Sequence, residues 1–196
     1  DHNNFNSVDI AHSFKSYSEL YYKWNMQEKG DLFLAKTDSI NRMIQDDKLS
    51  TKFKDFNDLT FKLLDNYLGN CYEYKGEYLF NQKRYNQALE AYSTASIYYG
   101  EFTFQKASLI NKKANVYYRL TDYENCLKAV EECIELSKEQ NLQKQIEIAL
   151  ELKIKALNKM GLSSEIELFM GELLKNKDYR YSCLLYTSPS PRDGLL

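Results

Sequence analysis

The sequence predicts an all-α chain of about four antiparallel helix hairpins stacked side by side, on three observations. No proline occurs before Pro189 and glycine is scarce, whereas sheets and long loops normally need that punctuation. Apolar residues recur with helical spacing, as in Tyr123, Cys126, Leu127, Val130, Ile134 and Ser137, which form the stripe of a half-buried helix. Finally, a helix–turn–helix segment repeats. "YEYKGEYLFNQKRYNQALEAYSTASIYY" from Tyr72 aligns with "INKKANVYYRLTDYENCLKAVEECIELS" from Ile110. Gly76, Ala88, Tyr92 and Ala95 of the first copy match Ala114, Cys126, Val130 and Cys133 of the second, at a spacing of 38 residues (126 minus 88). Small residues recur where two helices touch, and a bulky one recurs between them.

The elements follow in chain order. "SFKSYSELYYKWNMQEKGD" and "LFLAKTDSINRMIQDD" read as an N-terminal hairpin within residues 1–50, with Gly30 at its turn. Residues 51–182 then hold the repeats: the hairpin from Tyr72, the hairpin from Ile110, and a last pair, "LQKQIEIALELKIKALNKMG" and "SSEIELFMGELLKNK", turning at Gly161. Thr121 with Glu124, and Ser164 with Glu167, have the spacing of capping boxes. Trp24 and most tyrosines are expected to serve packing. Residues 183–196 are expected not to be native. The run "CLLYTSPSPRD" (Cys183 to Asp193) back-translates to the adapter that a transposase attaches to DNA fragments in sequencing libraries, which sets the tail apart from the fold. The chain opens on Asp1 rather than methionine, so the other end is expected to be a fragment boundary as well.

Composition narrows the function. Acids and bases are interspersed to a net charge of −2, which leaves no broad basic footprint for nucleic acid. No apolar run reaches the length of a membrane span, and the cytoplasm is the expected compartment. Cys71, Cys126 and Cys133 lack CxxC spacing and are expected to be buried free thiols. His2 and His12 have no second ligand at metal spacing, and Gly-rich phosphate loops, GxSxG and HExxH are missing, so no metal, no cofactor and no active site are expected. Asp46 and Asp47 are adjacent, hence about 100° apart on a helix, and read as a solvated helix end rather than a catalytic pair. The wealth of Asn, Lys, Ile and Tyr suggests AT-rich codons and a bacterial source.

The repeat resembles the tetratricopeptide (TPR) pattern, whose usual period is about 34 residues. That likeness implies a right-handed superhelical solenoid whose first helices line a concave face. Within it, Tyr74, Lys75, Gly76, Tyr78, Phe80, Gln82 and Lys83, then Lys106, Ala107, Ala114, Tyr117 and Tyr118, resemble the TPR region of Rap-type regulators of Gram-positive bacteria. The resemblance covers residues 72 to 120. It implies a cytoplasmic sensor whose groove takes a short signalling peptide, with transcriptional regulation by peptide quorum sensing as the setting. Relatives in that group carry a helix-turn-helix DNA-binding domain ahead of the repeats, and such a domain before Asp1 is admissible. Phosphatase members insert a Gln from a Met–acidic–acidic–Asp–Gln run. The nearest run here, "RMIQDDKL", has Asp47 in that place and Gln45 displaced. A generic TPR scaffold for protein–protein interaction and a Rap-type aspartyl-phosphate phosphatase or inhibitor are the alternatives, and a homodimer is admitted.

The stripe expected to face the groove comprises Glu73, Glu77 and Asn81, then Asn111, Asn115, Tyr118 and Arg119, then Glu151, Lys155 and Asn158. Asn111 and Asn115 are one turn apart, and a carboxamide offers a donor and an acceptor to the backbone of an extended peptide. Arg119 and Lys155 suit an acidic group, while Glu73 and Glu77 suit a basic one. The positions that would clamp a C-terminal carboxylate hold Asn111 and Asn115 with no Lys at the first, which disfavours that mode. A short peptide or a partner protein is therefore the expected ligand.

Overall fold

The long proline-free segments form helices along their length. The computed structural model describes residues 2–49, 58–101 and 103–175, and every regular element in them is α-helical. In order these are α1 (His2–Lys23), α2 (Gln27–Leu49), α3 (Asp58–Asn81), α4 (Tyr85–Tyr99), α5 (Thr103–Arg119), α6 (Tyr123–Glu139), α7 (Gln143–Met160) and α8 (Ser163–Lys175). Each helix packs on its sequence neighbour, and α1 also reaches α3 while α5 reaches α7. The tail 183–196 lies outside the described residues.

One turn geometry recurs at five junctions. Asn25, Lys83, Thr121, Asn141 and Gly161 all take positive φ, between 55° and 74°. The following N–H then reaches back over the helix end, as in Met26 N to Tyr21 O (2.9 Å), Arg84 N to Leu79 O (2.9 Å) and Leu142 N to Ser137 O (2.8 Å). This is the Schellman closure, which satisfies orphan carbonyls at a helix C-terminus. It corrects three expectations. The first turn is at Trp24–Met26, and Gly30 lies inside α2. Thr121 is the left-handed residue, not the cap; Asp122 caps α6, accepting from Asn125 N at 3.2 Å. Ser164 sits within the first turn of α8 rather than ahead of it.

The glycines inside helices have a different purpose. A Cβ on Gly30 would stand 2.6 Å from the Tyr22 ring, one on Gly69 2.6 Å from Tyr99, and one on Gly76 2.5 Å from Tyr92. Each glycine lets a neighbouring helix lay a tyrosine ring directly on its backbone. Ala88 and Ala95, the small residues of the repeat, are fully buried in the cluster that holds Tyr92, and their counterparts Cys126 and Cys133 are fully buried in the next cluster, with Ala107 and Ala114. All three described cysteines are free, and burial pushes the Cys71 and Cys126 thiols up to about 11.

Carboxylates stitch one hairpin to the next. Asp31 accepts from the Tyr22 hydroxyl of α1 and from Lys75 Nζ of α3, both at 2.7 Å. Glu73 of α3 likewise accepts from Tyr99 of α4 and from Lys112 of α5, which also binds Glu77. Burial opposes the Asp31 charge, but Lys75, Tyr22 and Gln27 outweigh it and hold the carboxyl below its ordinary range.

Candidate functional site

The side chains of α5 at Ser108, Asn111, Lys112 and Asn115 recur every three or four residues and share one helix face. Facing them, α7 presents Lys144, Gln145, Ile148, Glu151, Leu152 and Lys155. Between the two helices runs an open groove of about 390 Å³.

Its central feature is an incompletely paired carboxamide. Asn111 is 5 % exposed and its Nδ2 donates to Gln145 O at 3.0 Å and to Gln145 Oε1 at 2.9 Å. Both amide protons are thus committed to carbonyl oxygens, which fixes the side chain the other way round from a flip. Asn111 Oδ1 is buried with no donor, and a buried acceptor left so costs roughly 1–3 kcal/mol. Asn115, one turn on, is half-buried and makes no side-chain hydrogen bond among the described residues. Ile148, 41 % exposed, and the buried Leu152 supply apolar surface beside the two carboxamides.

The cations are mostly committed. Burial works against the Lys112 ammonium, yet Glu73 and Glu77 raise its pKa above the ordinary lysine value. Lys155 is paired within α7 to Glu151. Lys144 makes no ion pair among the described residues and is exposed.

Of the ten residues expected in the groove, Asn111, Asn115, Glu151 and Lys155 line it together. Glu73 and Glu77 reach its edge only through Lys112, so they are occupied by an internal cation rather than free for a basic ligand. Asn81 and Arg119 are the exposed last residues of α3 and α5, and Asn158 is exposed near the end of α7. Tyr118 packs its ring on Tyr123 with centroids 5.8 Å apart. Sequence reasoning missed Ser108, Lys112, Lys144, Gln145, Ile148 and Leu152. Helical spacing back from Asn111 and Glu151 carried the signal for Ser108, Lys144 and Ile148. The buried Asn111–Gln145 bond had none, because it joins residues 34 apart.

A second depression of about 300 Å³ lies over Tyr72, Lys75 and Leu79 of α3. Its cations are engaged, Lys75 by Asp31 and Arg84 by Gln27 (2.8 Å). Among the described residues no group of three or more His, Cys, Asp or Glu side chains is placed to hold a metal ion, and no helix is long and apolar enough to cross a membrane. Comparison with protein-family models, curated proteins and solved structures finds no match.

Proposed function

We propose that this chain is a peptide- or protein-binding helical-repeat module that takes an extended segment in the groove between α5 and α7. The observation that carries the reading is the orphaned Asn111 Oδ1 beside the unpartnered carboxamide of Asn115. Four helical residues advance roughly 6 Å along α5, close to the roughly 6.6 Å between alternate residues of an extended chain. Alternate backbone amides of one extended ligand, which point to the same side, can therefore meet both side chains, whatever the ligand's own side chains are. Asn115 is the first contact. Asn111 Oδ1, covered by its neighbours, gains a donor as the lining side chains part. Ile148 and Leu152 seat one apolar side chain of the ligand.

On this reading the hairpins continue as a TPR-like right-handed superhelix, and the module is the cytoplasmic sensor part of a regulator responsive to a signalling peptide. Support for that finer statement is the motif of residues 72 to 120, in which Gly76, Ala107 and Ala114 all occupy buried helix contacts. The enzymatic alternative draws less support, since the Gln45 amide is engaged by Asp65 (3.3 Å) and Asn41 (3.4 Å).

The test is calorimetry with peptides selected from a random library on the intact protein. Asn115→Ala should weaken binding by roughly 1–2 kcal/mol, the worth of one or two neutral hydrogen bonds, with an unchanged helical spectrum. Selected peptides that bind the wild type and Asn115→Ala equally would place their site elsewhere.

A further inference from the structure

A second surface lies on the first hairpin, on the side turned away from α3. α1 meets α3 through His12, whose ring is 5.3 Å from Tyr67, through Tyr22, 5.9 Å from Tyr78, and through Lys23 over Tyr74. Helical geometry puts Ile10, Phe14, Tyr17 and Tyr21 on the opposite side, and Trp24, just past the end of α1, stands beside Tyr21 with ring centroids 6.2 Å apart. Ile10, Tyr17 and Trp24 are 39 %, 48 % and 59 % exposed. The Phe33 ring of α2 joins them, with Phe14, Tyr17 and Tyr21 centroids at 5.7, 5.1 and 5.4 Å.

Two lysines flank this cluster. Lys29 Nζ lies 5.4 Å from the Tyr21 ring centre, and Lys36 Nζ lies 4.8 Å from that of Phe33. Neither has a carboxylate partner among the described residues. They are seven residues apart on one face of α2, roughly 10.5 Å along the axis.

We propose that this aromatic face docks an acidic amphipathic helix. A helix laying its apolar stripe over Tyr17 and Trp24 brings carboxylates spaced i, i+7 onto Lys29 and Lys36 together. The chain itself shows what covers such a stripe: α3 offers Tyr67, Tyr74 and Tyr78, and helices α1 and α2 lie on it. A polyanion is a poorer match, because two uncommitted cations beside Glu28, on a chain of net charge −2, give it little attraction.

Trp24 is the chain's single tryptophan, so its fluorescence reports on this face alone. The probe is a synthetic helical peptide with a leucine stripe and glutamates seven residues apart, and its control carries lysines in their place. The glutamate peptide should shift Trp24 emission to shorter wavelength saturably. The double variant Lys29→Glu, Lys36→Glu should weaken this at least about tenfold and favour the lysine peptide, while Asn115→Ala leaves it unchanged. Circular dichroism checks that these exposed changes spare the fold. Equal response to both peptides, or none, overturns the proposal. A shift that follows protein concentration alone overturns it in favour of a second copy. A shift with phosphatidylserine vesicles or a single-stranded oligonucleotide, but not the peptide, overturns it in favour of those surfaces.

Discussion

Single residues set the helix contacts most sharply at the Gly–Tyr pairs. Gly76→Ala adds a methyl 2.5 Å from the buried Tyr92 ring, which is overpacking and should cost about 1–3 kcal/mol in chemical denaturation. Adding Tyr92→Leu should remove most of that Gly76-specific penalty; a fully additive double variant would contradict the contact. Ala88→Leu, in the same interface, should cost about the same. These small residues were legible because they recur 38 residues apart. Asn111 was legible as a groove residue but not as a buried one. Removing its carboxamide leaves the buried Gln145 Oε1 without its donor, so Asn111→Ala is expected to destabilise the protein by about 1–3 kcal/mol. Asn115, which makes no side-chain hydrogen bond among the described residues, is therefore the position at which the proposed binding is tested apart from folding.

Among the elements, the helices were legible from period and composition, while their ends were not. Sequence signals for a turn point to Gly or Asn, and they succeed at Gly161, where φ is 74°. At Lys83 and Thr121 the same left-handed geometry is imposed on residues with a Cβ, because the Schellman hydrogen bonds and the packing of both flanking helices fix the backbone. That override is a local strain, and it makes a signed prediction. Thr121→Gly should raise stability by about 1 kcal/mol and Gly161→Ala should lower it by a similar amount, read as opposite shifts in the denaturation midpoint. Gly30 misled in the other direction: its role is to admit the Tyr22 ring, and nothing in a single sequence separates a turn glycine from a contact glycine. The stitch between α3 and α5 is equally specific. Lys112→Met strands Glu73 beside Glu77 and should destabilise the protein, with Glu77→Gln in the same chain recovering part of the loss. A midpoint unchanged by Lys112→Met would show that solvent screens the pair.

For the whole molecule, the titrating stitches define a pH window. Burial opposes charge on Asp31 and Glu19, but their lysine and tyrosine donors outweigh it and depress both pKa values. That stability is present above their unfolded values and is lost as pH falls through the folded ones. Burial raises the Tyr22, Tyr99 and Cys71 values, and the glutamates raise that of Lys112 against its burial. Those contributions are present below the unfolded values and disappear as pH rises through the folded ones. The thermal midpoint should thus stay level from about pH 5 to about pH 8 and fall on both sides. The pairing of hairpins was legible because each is a local unit, whereas the groove depends on which faces of α5 and α7 meet, a matter of tertiary packing that periodicity leaves open. We propose that this groove holds an extended peptide through its carboxamides. The direct test is nuclear magnetic resonance of the side-chain amides of Asn111 and Asn115 during titration with a library-selected peptide. Both pairs of signals should shift and saturate with the affinity measured by calorimetry, while the amide of the distant Asn81 stays in place. A peptide that binds tightly and leaves the Asn111 and Asn115 signals unmoved would contradict the claim.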